Sequence, residues 1–249
     1  MDTERYLRHV ERKKPGFGAH LSTMAIIGLI SPLQRYEVSG PGAIPAEGPA
    51  IVAANHISYI DPVILNAYIY RQRRVPYILT KASLFKVPIA GAFLRAAHAI
   101  PLGRKGDDKR AMEVAVRLLE RGELLMIFPE GTSAKDEERW PMRAKTGAAW
   151  LSLESGVPIT PIAQWGAEKI VTTTPRGTTF HPFPLRKKVS LRIGEPVDLS
   201  SYREEYRSRP GQALRKAADA TMSAITRGLE VIRDRPALGP YAAEPAASV

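Results

Sequence analysis

Short apolar runs alternate with stretches of helical periodicity along most of this chain. Runs of about four to eight apolar residues are typical of buried strands, whereas apolar residues three or four positions apart are typical of helices. The predicted strands are residues 36–39, 50–54, 77–80, 99–102, 123–128, 159–163 and 189–193, and the predicted helices are residues 63–70, 108–121, 145–155 and 212–233. This alternation predicts an α/β fold, a single domain in which helices flank a mixed β-sheet.

The sequence divides into three predicted segments. Residues 1–34 form a basic, amphipathic helical segment, residues 35–235 form the folded domain, and residues 236–249, rich in Ala and Pro, form a disordered tail. The apolar stretch 17–33 is broken by Gly28 and Pro32, and it is shorter than the roughly 20 residues that a membrane span requires. With cations on both sides, it is expected to associate with a membrane by lying in the interface. The alternative is an ordinary helix that covers the domain core.

The net charge of +11 predicts attraction to anionic partners. An anionic membrane surface or a phosphorylated small molecule fits this charge. Nucleic acid is not expected, because the chain has neither zinc-finger spacing nor an aromatic-rich RNA-binding strand. The five histidines lack metal-ligand spacing, so no metal is predicted. The absence of cysteine rules out a disulfide framework and is compatible with a reducing cytosol, and residues 1–14 are charged without a secretory pattern.

A polar segment follows the apolar run 50–54 directly: residues 55–62 read Asn-His-Ile-Ser-Tyr-Ile-Asp-Pro. We expect Asp61 to be the N-cap of a helix and Pro62 its first residue, because proline at that position has the required φ. A turn before Pro62 would fold the carboxylate of Asp61 back onto the imidazole of His56, whereas one continuous helix would separate them.

A histidine held by a carboxylate is suited to act as a general base. The chain has no cysteine and no Gly-x-Ser-x-Gly elbow, so the base would deprotonate a hydroxyl of the substrate. On this motif alone, a capping Asp61 and a structurally satisfied His56 remain an open alternative.

A second motif lies about seventy residues further on, where residues 128–132 read Phe-Pro-Glu-Gly-Thr after another apolar run. Together, the two motifs resemble those of the glycerolipid acyltransferases, in particular the 1-acylglycerol-3-phosphate (lysophosphatidic acid) acyltransferase family, from about residue 35 to about residue 195. The resemblance implies that His56 is the catalytic base and that Asp61 orients it. It also implies that residues 35–235 are an acyltransferase domain.

The resemblance further implies a function in phospholipid biosynthesis. Acyl-CoA or an acyl carrier protein would donate a fatty acyl group to the free hydroxyl of lysophosphatidic acid, and the product would be phosphatidic acid. The donor would be a substrate, so no cofactor is expected. The protein would be peripheral, at the cytoplasmic face of the cell membrane. Acyl chain length, acyl position and oligomeric state do not follow from the resemblance.

The resemblance implies that Arg104 binds the acceptor's phosphate, and four more residues are candidates for this phosphate site: Lys81, Glu130, Gly131 and Thr132. A planar guanidinium can hold a phosphate through two parallel bonds. Backbone N–H groups near a glycine, and a threonine hydroxyl, can donate to its oxygens. Since like charges repel, Glu130 is expected to position a cation such as Arg104, or the acceptor's glycerol.

This sequence departs from the family where Ser133 follows Thr132, because the family usually has Arg at that position. We expect Lys135, Arg143 or Lys145 to supply the missing cation, and Lys145 lies just before a predicted helix whose N-terminus favours anions. The departure leaves glycerol-3-phosphate, another lysophospholipid or a glycolipid open as the acceptor. A non-catalytic lipid-binding protein of the membrane surface is the alternative of another class.

Overall fold

The computed structural model of the protein describes residues 3–12, 16–103, 107–134, 137–174 and 177–242. Within these ranges, the chain forms eight α-helices and nine strands. The helices are α1 Thr3–Arg12, α2 Phe17–Ile30, α3 Asp61–Arg71, α4 Pro88–Ala96, α5 Asp107–Glu120, α6 Gly147–Ser155, α7 Arg203–Ser208 and α8 Pro210–Arg233. The strands are β1 Gln34–Ser39, β2 Ala50–Ala54, β3 Pro76–Lys81, β4 Ile100–Leu102, β5 Leu124–Ile127, β6 Ile159–Trp165, β7 Val171–Thr174, β8 Gly177–Phe180 and β9 Lys187–Ile193.

Seven strands form one mixed sheet in the order β1-β9-β6-β2-β5-β3-β4. Strand β2 lies in the middle and pairs in parallel with β5 and β6, while β3 pairs in parallel with β5 and β4. Strand β9 runs antiparallel to β6, and β1 runs parallel to β9. The predicted α/β domain with a mixed sheet flanked by helices is therefore confirmed.

The strand directions define one functional edge of the sheet, which we name the carboxyl edge. Strands β2 to β6 all end there because they are parallel to one another. Strands β1 and β9 begin there, because they run in the opposite direction. In open α/β sheets, ligands bind outside the carboxyl ends of parallel strands.

Helices bury both faces of the sheet, which is why all five side chains of β2 are buried. One face packs against α1, α5, α6 and α8, and the other against α3 and α4. The predicted apolar stripe of α5 is confirmed, since Ala111, Val114, Ala115 and Leu118 are fully buried. Gly122 follows α5 with φ +81°, a left-handed conformation that ends the helix at little cost for glycine.

The N-terminal segment contains two helices of different character. In α1, Leu7 and Val10 are buried in the domain core, while the charged side chains lie on the outer face. Helix α2 has apolar residues on all of its sides, and Leu21, Met24 and Leu29 are 58%, 60% and 75% exposed. Across the part of the chain that the structure describes, no helix combines the length and the apolar character needed to cross a membrane.

The segment from residue 236 onwards was predicted to be disordered, but residues 236–242 pack against the domain. Ala237 is buried, and the hydroxyl of Tyr241 accepts a hydrogen bond from the amide of Ala144 at 3.0 Å and donates to Asp219 at 3.2 Å. Composition did not reveal these contacts, because they depend on two particular side chains, Ala237 and Tyr241. Residues 243–249 lie outside the described residues.

Candidate active site

His56 and Asp61 face each other across the turn that joins β2 to α3. The Nδ1 atom of His56 lies 2.8 Å from Oδ2 of Asp61. The same oxygen accepts hydrogen bonds from the amides of Ile57 at 2.7 Å and Ser58 at 2.8 Å. Three donors therefore fix the orientation of one carboxylate oxygen, and the pair leaves Nε2 of the imidazole as the nitrogen available to a substrate.

The predicted N-cap role of Asp61 is wrong. Ile60 occupies the N-cap position of α3, and Asp61 is the first residue of the helix. Its carboxylate turns back toward the preceding amides rather than forward to the orphan N–H groups of α3. The expectation that a turn before Pro62 brings the carboxylate to His56 is confirmed by the geometry.

The pair is largely shielded from water. The side chain of Asp61 is fully buried and that of His56 is 13% exposed. The imidazole lies against the ring of Phe128, with 4.7 Å between the ring centroids. Burial lowers the effective dielectric constant, which strengthens the interaction between an imidazolium and the carboxylate.

Residues 128–134, which follow β5 and which we name the Gly131 loop, hold the peptide unit of His56. Oε1 of Glu130 accepts the amide N–H of His56 at 2.8 Å, and Oε2 accepts the amide of Met142 at 2.9 Å. The amide of Ala134 donates to the carbonyl of His56 at 2.7 Å. Glu130 is buried, so its carboxylate links the two motifs. The sequence did not predict this structural role.

Gly131 and Lys145 lie together at the carboxyl edge. Gly131 has φ +68°, and a Cβ at this residue would lie 2.9 Å from Cε and 3.1 Å from Nζ of Lys145. The amide of Lys145 donates to the carbonyl of Pro129 at 2.8 Å, which fixes the lysine backbone beside the loop. Thr132 is partly exposed in the same loop. An open glycine backbone beside an ammonium group is suited to bind an anion.

Lys145 also precedes the N-terminus of α6, which begins at Gly147 with Thr146 at the N-cap position. The predicted helix start at residue 145 is therefore two residues early. The unpaired N–H groups of a helix N-terminus favour negative charge. Lys145 thus lies between Gly131 and this helix N-terminus, and the binding of an anion there stays a prediction.

Lys81 lies further from the pair than the Gly131 loop. It ends β3, is exposed, and pairs in register with Leu102 of β4. Since β5 separates β3 from β2, Lys81 is about two strand spacings, roughly 10 Å, from the end of β2 within the sheet. Arg104 lies outside the described residues, as does Lys135.

Three hydrogen bonds that sequence reasoning missed hold the turn 57–60 in place. The guanidinium of Arg139 donates to the carbonyl of Ile57 at 2.7 Å and to that of Thr173 at 3.4 Å. The hydroxyl of Ser58 donates to the carbonyl of Val171 in β7. Nothing local in the sequence marks these pairs, because their members lie 34 to 113 residues apart.

Asn55 and Gln164 form a reciprocal pair at the ends of β2 and β6. The amide of Gln164 donates to Oδ1 of Asn55 at 2.8 Å, and Nδ2 of Asn55 donates to the carbonyl of Gln164 at 3.1 Å. Both side chains are fully buried. The pair joins two parallel strands one residue before His56, which sets the direction in which His56 leaves the sheet.

Glu168 is a second, partly buried carboxylate near the pair. Burial raises its pKa, and the negative charge of Asp61 adds to the rise, while a hydrogen bond from the amide of Gly166 at 2.8 Å opposes it. In the described parts of the chain, no group of three or more His, Asp or Glu side chains could hold a metal ion.

Comparison with known proteins gives this fold and site a family. The family model described as Acyltransferase matches residues 35–165, a span that begins in β1, ends with β6 and contains both motifs. The chain therefore belongs to the acyltransferase family, as the sequence motifs predict.

Individual relatives give a narrower class. The 1-acyl-sn-glycerol-3-phosphate acyltransferase of Bacillus subtilis is 26% identical over 64% of this chain and 72% of its own length. A chloroplastic enzyme of the same name from Brassica napus is 26% identical over 61% of this chain, which spans only 43% of that protein. The crystal structure of the 1-acyl-sn-glycerophosphate acyltransferase PlsC from Thermotoga maritima is similar with a TM-score of 0.60 and 25% identity, over 93% of this chain and 81% of that one.

Proposed function

We propose that this protein is a 1-acylglycerol-3-phosphate O-acyltransferase, which moves a fatty acyl group to the free hydroxyl of lysophosphatidic acid and forms phosphatidic acid. The observation that carries the proposal is the buried 2.8 Å contact between His56 and Asp61 beside the Gly131 loop. The names of the bacterial and plant relatives support the same reaction.

In the proposed mechanism, Nε2 of His56 takes the proton from the acceptor hydroxyl as its oxygen attacks the carbonyl carbon of an acyl thioester. Asp61 stabilises the imidazolium that forms and keeps Nδ1 protonated. The C–S bond then breaks, and the thiolate leaves with the proton that the imidazolium returns. Atoms balance without a covalent enzyme intermediate, so no nucleophilic side chain is needed.

The acceptor's phosphate would bind beside Gly131, with Thr132 and Lys145 as hydrogen-bond donors. Arg104 and Lys81 would supply further positive charge to the phosphate. Holding the phosphate there would place the acceptor hydroxyl near the imidazole, and such positioning supplies a large part of catalysis. Glu130 would act by holding the His56 peptide, since two backbone amides occupy its oxygens.

For the acyl donor we propose acyl-CoA, whose phosphates suit a chain of net charge +11, with an acyl carrier protein as the alternative. No further cofactor is required by the mechanism. The protein would work at the cytoplasmic face of the membrane, with the exposed residues Leu21, Met24 and Leu29 of α2 in the interface.

A turnover assay with a panel of acceptors tests the proposal. Purified protein and radiolabelled acyl-CoA are combined with lysophosphatidic acid, glycerol-3-phosphate or an uncharged lysolipid. We expect lysophosphatidic acid to be the best acceptor, and a preference for glycerol-3-phosphate or the uncharged lysolipid would contradict the proposed acceptor. His56→Ala should abolish turnover, whereas His9→Ala, at an exposed position on α1, should not. Full turnover by folded His56→Ala would sink the mechanism.

A further inference from the structure

A cluster of large apolar side chains is exposed on the segment that joins β8 to β9. Phe180, Phe183 and Leu185 are 56%, 75% and 50% exposed. We name residues 180–186 the aromatic loop. Three large apolar residues within six positions, all facing solvent, cost free energy unless something covers them.

Cations surround the aromatic loop in the sequence. Between Glu168 and Glu195, the chain carries six Lys or Arg residues and no Asp or Glu: Lys169, Arg176, Arg186, Lys187, Lys188 and Arg192. This stretch therefore accounts for +6 of the net charge of +11. Aromatic and aliphatic side chains next to clustered cations are typical of segments that bind anionic lipid surfaces.

The strand topology places the aromatic loop at the carboxyl edge. The loop leads into β9, whose first residue Lys187 is in register with Gln34 at the start of β1. Further along β9, Ser190 is in register with Trp165 at the end of β6. Because β6 and β2 are parallel neighbours, the loop lies at the sheet edge where His56 leaves β2.

The aromatic loop also adjoins the end of α2. The amide of Arg186 donates to the carbonyl of Pro32 at 2.9 Å, two residues after α2 ends. Leu29, in the last turn of α2, is 75% exposed. This hydrogen bond therefore places the exposed apolar residues of the loop next to the end of α2.

We propose that the aromatic loop is a second membrane-contact element, which inserts Phe183 and Leu185 into an anionic bilayer while α2 lies in the same surface. The inference deepens the proposed function, because it makes the bilayer that supplies the acceptor lipid meet the protein at the carboxyl edge. With two contacts on that edge, the site would face the membrane directly, and a lysolipid could reach His56 without leaving for water.

An acidic acyl carrier protein is a competing occupant, but the loop suits a bilayer better. Recognition of an acidic protein surface relies on ion pairs at a polar rim. Here Phe183 is the most exposed large apolar residue of the loop, and exposed apolar surface continues onto α2. Insertion into lipid buries these side chains and places the neighbouring cations at headgroup level.

Vesicle sedimentation tests the proposal with the full chain. The probe is a vesicle of phosphatidylcholine with phosphatidylglycerol, and the variant is Phe183→Ser with Leu185→Ser. We expect about a tenfold loss in the partition coefficient, because two apolar side chains no longer insert. The matched control is Val38→Ser, which is 44% exposed near the end of β1, at the sheet edge opposite the carboxyl edge. The control should bind like the unmodified chain.

Turnover adds a readout that separates this proposal from the proposed function. The loop variant should match the unmodified chain on a short-chain acceptor dissolved as monomers, and should lose activity on acceptor embedded in vesicles. Unchanged vesicle binding by the loop variant would overturn the proposal, and so would a loss confined to acyl carrier protein donors. If the unmodified chain shows no turnover, the proposed function fails, while sedimentation still decides the role of the loop.

Discussion

Replacing Asp61 by Asn isolates the charge at the centre of the candidate site. An asparagine keeps one side-chain oxygen, which can still accept the amides of Ile57 and Ser58, so the turn retains its backbone contacts. The negative charge beside Nδ1 of His56 is lost. If the carboxylate serves catalysis by stabilising an imidazolium, the substitution removes that stabilisation from the transition state while the fold remains.

The size of the loss follows from the geometry. Nδ1 and Oδ2 are 2.8 Å apart, and the carboxylate is fully buried. With about 4 Å between the charge centres and an effective dielectric constant of about 20, the attraction is about 4 kcal/mol. A loss of about 4 kcal/mol from the transition state corresponds to about a thousandfold in kcat.

The assay is kcat at saturating acyl-CoA and lysophosphatidic acid, alongside thermal unfolding. The matched control is Asp198→Asn, because Asp198 is exposed and bonds only its near neighbour Ser200 among the contacts of the described chain. We expect the control to keep its kcat. A folded Asp61→Asn variant whose kcat stays within about threefold of the unmodified chain would refute the reasoning, since a loss of about 4 kcal/mol requires a far larger decrease in kcat.

Three further substitutions test the surroundings of the pair. Glu130→Gln loses one of the two oxygens that accept backbone amides, so we expect the free energy of unfolding to fall by about 1–3 kcal/mol. We also expect kcat to fall while the KM for the acceptor stays unchanged. A change confined to KM would instead indicate that Glu130 binds the acceptor. Gly131→Ala should raise the KM for the acceptor, because the added Cβ would displace Lys145. The control is Gly48→Ala, where φ is +77° and the surrounding space is open, so we expect only backbone strain of about 1 kcal/mol. Equal KM values for the two variants would contradict the placement of the phosphate. Glu168→Gln should raise the melting temperature at pH 8 but not below about pH 4. Burial raises the pKa of Glu168 in the folded protein, so the unmodified chain loses stability as the pH rises through that pKa, whereas glutamine does not ionise. A constant difference in melting temperature across this range would show that ionisation is not the cause.

Local sequence patterns predicted the framework of the fold. The run 50–54 is apolar throughout because β2 is covered on both faces, and such continuous runs are typical of buried parallel strands. Helices α5 and α8 each show an apolar stripe because each packs one side against the sheet. The contact between His56 and Asp61 was predictable, because only the turn before Pro62 decides it.

Interactions between distant segments were not predictable from patterns. Glu130 bonds the peptide of His56 from 74 residues away, and Asn55 bonds Gln164 across 109 residues. The β7–β8 hairpin was missed because its strands have four residues each and β8 is exposed, so neither shows an apolar run. In each case the partner is chosen by the sheet order, which no single segment encodes.

The hydrogen bonds from the Gly131 loop to the His56 peptide allow catalytic activity to be lost while the protein remains folded. Both the N–H and the C=O of His56 are bonded by residues of that loop, and among the described residues no neighbouring strand bonds either group. Fraying of these seven residues would thus free the His56 peptide that carries the imidazole, while the sheet, the helices and the far-ultraviolet circular dichroism stay unchanged. Amide hydrogen exchange at His56 and Ala134 is the direct readout of that opening, and we expect it to track lost activity more closely than the melting temperature does.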